Sequence, residues 1–132
     1  MATFKRFEEI IAWQLARELC QAIQEVARTT GLGRDFRLLN QIADSSDSIK
    51  NNIAEGHGRG GNAEFIHFLE IAHASCAETQ SQLYSLLDRG YVDEQKFRAM
   101  YHLAYRTSKA IHKLIAYLQS SPIKGPRYNH RP

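Results

Sequence analysis

Apolar residues recur along most of this chain at spacings of three and four, the signature of helices with one buried face. Ala12, Ala16, Leu19, Ile23 and Val26 share a stripe that predicts a first helix over about 7–29, ended by Gly31 and Gly33. A second helix is predicted over about 36–55, with Leu39, Ile42, Ser46, Ile49 and Ile53 inward and Gly56, Gly58, Gly60 and Gly61 as its stop. A third, over about 63–89, buries Phe65, Leu69, Ala72, Cys76, Thr79, Leu83 and Leu86, with Asn62 as its N-cap and Gly90 as its end. A fourth follows the capping residue Asp93 and runs to about 120, burying Phe97, Met100, Ala104, Thr107, Ile111, Leu114 and Leu118. No strand-like alternation competes with this pattern. Helices of this length joined by short links favour antiparallel neighbours. The expectation is an all-α fold, an up-down-up-down antiparallel four-helix bundle. It forms one domain over 1–120, followed by a basic, flexible C-terminal tail over 121–132.

Charge adds an asymmetry that the hydrophobic pattern does not contain. The net charge of the 132 residues is only +3. Residues 1–93 carry nine Lys/Arg against thirteen Asp/Glu, whereas residues 94–132 carry eight against one. Such a split points to an anionic partner for the C-terminal part. Within it Arg98, His102, Arg106, Lys109 and Lys113 follow one another at spacings of four, four, three and four, a narrow ridge nearly opposite the core stripe. Lys124, Arg127 and Arg131 extend the charge into the tail. These eight residues are the candidate nucleic-acid contacts. No aromatic-studded RNA module or basic heptad reader is recognisable, so binding would be mainly to backbone phosphates.

The third helix is short of charge. Between Ile71 and Leu87 the only charged residue is Glu78. A helix with one face in water usually carries several charges on that face. Burial on two sides is therefore expected, one in the bundle and one against another copy of the chain. Ile66, His73, Ala77, Gln80 and Tyr84 are the candidate oligomer contacts. A polar stripe also runs beside each of two apolar faces. It comprises Gln41, Ser45, Ser48, Asn52 and Glu55 on the second helix, and Ser75, Glu78, Gln82 and Ser85 on the third. Ser48, Asn52, Glu55, Arg59, Ser75 and Glu78 are read as a structural polar seam that fixes register, within the bundle or between subunits. Arg59 is expected to pair with Glu55.

Candidate chemistry is thin. Ser48 has no histidine on its helix to serve as a base. The glycines around His57 follow a helix and lack the Gly-Lys-Ser/Thr of a phosphate loop. Glu64-x-x-His67 and Glu70-x-x-His73 copy a di-iron spacing, but both lie on one helix, and a di-iron bundle draws ligands from four. No catalytic residue, metal or cofactor is expected. Cys20 and Cys76 are too sparse for a disulfide framework and are expected as buried thiols in a reducing compartment. No run approaches the length of a membrane span and no signal-peptide core opens the chain, so a cytoplasmic location is expected.

Trp13-x-x-Ala16, Ser48-Ile-x-Asn-Asn-Ile-Ala-Glu-Gly-x-Gly-Arg59, Glu64-Phe-Ile-x-Phe-Leu-x-Ile-Ala72 and Ser75-x-x-Glu78 resemble a particular family. It is the four-helix-bundle family encoded in intervening sequences of bacterial 23S ribosomal RNA genes. The chain is also similar in fold to the accessory variability determinants of diversity-generating retroelements. The resemblance implies an up-down bundle assembled as a homopentamer. Through the retroelement relatives it implies nucleic acid, or a nucleic-acid-processing protein, as partner. His73 stands where the family usually has glycine, and Thr30-Gly-Leu-Gly33 replaces the usual proline before the second helix.

Two functions are therefore expected in competition. One is a non-enzymatic homo-oligomer that binds RNA or DNA backbone through a basic fourth helix. The other is an oligomeric scaffold, or protein-interaction module, with no nucleic-acid ligand.

Overall fold

A computed structural model describes residues 4–121. The expected tail, with Lys124, Arg127 and Arg131, lies outside the described residues. Four helices make up the fold: α1 Ile11–Thr29, α2 Phe36–Gly58, α3 Asn62–Asp88 and α4 Glu94–Ser120. Each packs along its sequence neighbours, and α1 closes the ring against α4. This is the antiparallel up-down-up-down bundle. At ~1.5 Å per residue the rods are about 28–40 Å long.

The core is the set of stripes read from the pattern. Ala12, Ala16, Leu19, Ile23 and Val26 of α1 are buried, as are all seven inward positions expected of α3. Six of the seven expected on α4 are buried; Phe97 is half-buried. On α2 the first inward residue is Leu38, not Leu39. Leu38 stands four residues before Ile42 and Leu39 three, so both fit the helical period, and Leu39 is half-buried at the edge of the core.

Helix ends show how side chains satisfy backbone groups that the helices leave unpaired. Asp93 caps α4 by accepting from Lys96 N at 2.8 Å, and Asp35 caps α2 from Leu38 N at 3.4 Å. Asp35 also accepts from Tyr91 Oη at 2.8 Å and from Arg89 Nη1 at 2.6 Å. The start of α2 is thereby tied to the α3–α4 connection, and these two donors hold the Asp35 carboxyl below the usual aspartate range. Gly90, at φ 75°, ends α3: its N–H meets Leu87 O at 3.0 Å and the N–H of Tyr91 meets Leu86 O at 2.9 Å.

Three expected boundaries change. The first helix does not begin at Phe7. A short 3₁₀ turn, Phe7–Glu9, precedes it, and Ile10 is extended at ψ 121° before α1 begins. Asn62 is the first residue of α3 and not its cap; Gly61 holds that position, and Asn62 Nδ2 reaches Leu118 O at 3.3 Å. Gly56 does not stop α2, which continues to Gly58. The turn is made at Gly60, whose φ is 83°.

Candidate nucleic-acid interface

The outer face of α4 is built by exclusion. Met100, Ala104, Thr107, Ile111, Leu114 and Leu118 turn inward, and the residues about half a turn away are left outside. Arg98, His102, Arg106, Lys109 and Lys113 are all exposed, as the ridge requires. The only acid on the helix, Glu94, holds Arg98 in an i,i+4 pair at 3.0 Å. Three further cations, Arg106, Lys109 and Lys113, run from the middle of the helix onward with no acid among them. Two aromatic or imidazole groups that the charge pattern passed over belong to the same face. Tyr105 is 48% exposed, and His112 is exposed two turns beyond it. The rings of His102 and Tyr105 are 6.4 Å apart and inclined by only 23°, and Lys109 Nζ sits 5.9 Å from the Tyr105 centroid.

The polar seam lies inside one chain, between α2 and α3. Ser48 and Ser75 share a hydrogen bond of 2.8 Å, and Asn52 Nδ2 donates to Ser48 O at 2.8 Å and Ser48 Oγ at 3.0 Å. One turn further along, the Thr79 hydroxyl donates to Ser45 Oγ at 2.9 Å, and Ser45 Oγ donates to Gln82 Oε1 at 2.5 Å. Ser45 and Thr79 are buried and belong to the seam as much as Ser48 does. Glu55 and Arg59 do not. They form their own exposed pair at 2.8 Å, with the Arg59 guanidinium 5.1 Å from the Phe68 ring. Glu78 is marginal, an exposed carboxylate that Gln82 approaches only to 3.5 Å. Ser75 and Asn52 are the polar partners of Ser48, and neither is a base, so no activated serine arises here.

The remaining chemical motifs resolve into packing. His57 Nε2 meets Phe4 O at 2.8 Å and tethers the segment before α1. His73 Nε2 meets Ser108 Oγ at 3.0 Å, across to α4, and its ring lies 5.8 Å from that of His112. His67 lies against Phe68, and among the described residues no three metal-ligating side chains converge. Burial pushes the thiol of Cys20 up to about 11 and that of Cys76 up to about 12, far from the values of a reactive thiolate.

Of the residues expected at an oligomer contact, three face the bundle's own α4 side. Ile66 packs partly on the core, His73 bonds Ser108, and Tyr84 meets Phe97 at 4.7 Å and Tyr101 at 5.8 Å. Gln80 is half-buried and Ala77 is exposed. The low charge of the third helix is therefore explained in part by α4 itself. What stays outside over 71–87 is Ile71, Ala74, Ala77, Glu78 and Ser81, with Ile71 38% exposed and Tyr84 49% exposed at the edge. Among the described residues no helix is long and apolar enough to cross a membrane.

A family model described as 23S rRNA-intervening sequence protein matches residues 8–113. No curated protein matches the chain. A similar solved structure is that of a protein with unknown function from the S23 ribosomal protein family of Bacteroides thetaiotaomicron. It superposes with a TM-score of 0.72 at 23% identity, covering 80% of this chain and 98% of that one. At that identity the likeness speaks to the fold.

Proposed function

The chain belongs to the 23S rRNA-intervening sequence protein family, and from that premise we propose that it is a non-enzymatic, homo-oligomeric bundle that binds RNA or DNA backbone through α4. The observation that carries this reading is the outer face of α4. Arg106, Lys109 and Lys113 are all exposed on a helix whose single acid is already engaged by Arg98. Like charges held this close repel one another and destabilise the isolated helix slightly. A polyanion relieves that repulsion and releases its own counterions. Phosphates are the anions that present such charges in a row.

Self-association supports the reading in two ways. The outer strip of α3, with Ile71, Ala74, Ala77 and Ser81 and a single charge at Glu78, suits close helix contact with another copy. Repeating α4 around an assembly would turn weak phosphate contacts into a multivalent surface. In line with the family resemblance we propose a pentamer, of about five times 15.1 kDa. The expected compartment is the cytoplasm, where nucleic acid is at hand.

Light scattering coupled to size exclusion, together with anisotropy of labelled oligonucleotides, tests both halves. The wild type is expected above monomer mass and to bind at low salt. The triple charge reversal R106E/K109E/K113E is expected to keep the mass and lose binding. Equal binding by wild type and variant would remove α4 from the reading. No binding by the wild type at tens of micromolar would leave the scaffold function in its place.

A further inference from the structure

Phosphate contacts account for the cations of α4 but give Tyr105 no role. The other exposed or half-exposed aromatics nearby are occupied with one another: Tyr84, Phe97 and Tyr101 form a cluster with ring centroids 4.7–5.8 Å apart, bridging α3 and α4. Tyr105 stands apart from that cluster, on the ridge itself. By ~100° per residue it lies only about 20° from Arg98 and about 40° from Lys109 around the helix. Nearly half its surface is open, although a tyrosine contributes much when buried and little when left in water. Its neighbours on either side along the helix are the His102 ring, inclined by only 23°, and the Lys109 ammonium, 5.9 Å from its centroid.

A flat, half-open ring flanked by an imidazole and a cation, within a row of phosphate-binding charges, matches one ligand better than others. Resting on the reading of α4 as a nucleic-acid surface, we propose that Tyr105 is a base-stacking platform and that the site selects single-stranded over double-stranded nucleic acid. A single strand offers both phosphates for Arg106, Lys109 and Lys113 and unstacked bases for the ring. A duplex offers the same phosphates but keeps its base faces inside the stack. Stacking on an aromatic ring is indifferent to sequence, since every base has a π-face. The preference is thus for strandedness and not for sequence. RNA and DNA single strands share this chemistry.

Anisotropy titrations of labelled U-tract and T-tract single strands, against blunt duplexes of the same length, test the inference at one low ionic strength. Wild type is expected to bind the single strands more tightly. Tyr105→Ala should weaken single-strand binding by about 5- to 100-fold and leave duplex binding within about twofold, while Tyr105→Phe should restore the preference. Because the side chain is on the surface, circular dichroism and oligomer mass are expected to be unchanged in both variants. Equal wild-type affinity for single strand and duplex, or an equal loss on both with Tyr105→Ala, overturns the stacking role while the cationic surface stands. No binding to any of these strands overturns both. A tighter grip on U-tract than on T-tract, abolished by Tyr105→Ala, supports the platform and assigns RNA as its source.

Discussion

A methyl group added to Gly56 would sit 2.8 Å from Phe68 Cβ and 2.9 Å from Phe65 Cδ1, both on α3. Side-chain carbons at that distance must move, and overpacking of this kind destabilises a core by about 1–3 kcal/mol. Gly58, two residues on and still helical, has open space around its α-carbon. Alanine there removes conformational freedom from the unfolded chain and is expected to be neutral or stabilising by up to about 1 kcal/mol. Denaturant unfolding of Gly56→Ala and Gly58→Ala should therefore shift in opposite directions. Equal behaviour would contradict the close approach of α2 to α3 at Gly56. In the sequence the two glycines look alike, as parts of one helix stop. What separates them is a pair of neighbours nine and twelve residues beyond Gly56, Phe65 and Phe68, whose position follows only once α3 is folded back on α2.

At the scale of elements, the stripes of α1, α3 and α4 were legible because burial there follows a strict helical period. On α2 the inward position at the start is Leu38 and not Leu39, because residues three and four before Ile42 both fit the helical period and spacing alone does not choose between them. The seam was legible as a set of polar positions beside the core, but not as a set of pairs. Residues of the same type, Ser45 and Ser48, could equally have faced another subunit, and the exposed Glu55–Arg59 pair has the same spacing as a seam contact. The pairing itself makes a prediction. Ser48→Ala and Ser75→Ala remove opposite ends of one 2.8 Å hydrogen bond. A double-mutant cycle in thermal or denaturant unfolding is expected to give a coupling of about 0.5–1.5 kcal/mol. Additive losses would mean that the two hydroxyls do not depend on each other and that this pair does not hold α2 and α3 in register.

At the scale of the whole molecule, the charge runs one way and the packing another. The bundle is closed on itself by contacts between each pair of adjacent helices, most extensive between α2 and α3, yet the cations concentrate on one of the four helices. Folding does not require that placement, since the core is satisfied by the inward faces. The bundle could be read from periodicity, and the ridge from spacing. The aromatic beside the ridge could not, because Tyr105 carries no charge to mark it in the basic spacing and only the structure shows its ring beside Lys109. The central claim is that this cationic face engages phosphates, and ionic strength tests it most directly. The affinity of the wild type for a single-stranded oligonucleotide should be measured across a salt series. Each phosphate contact contributes a slope of about −0.7 for single strands in log affinity against log salt. Contacts from Arg106, Lys109 and Lys113 of even one subunit thus predict a slope of about −2 or steeper. A slope near zero, with binding retained at high salt, would contradict the account.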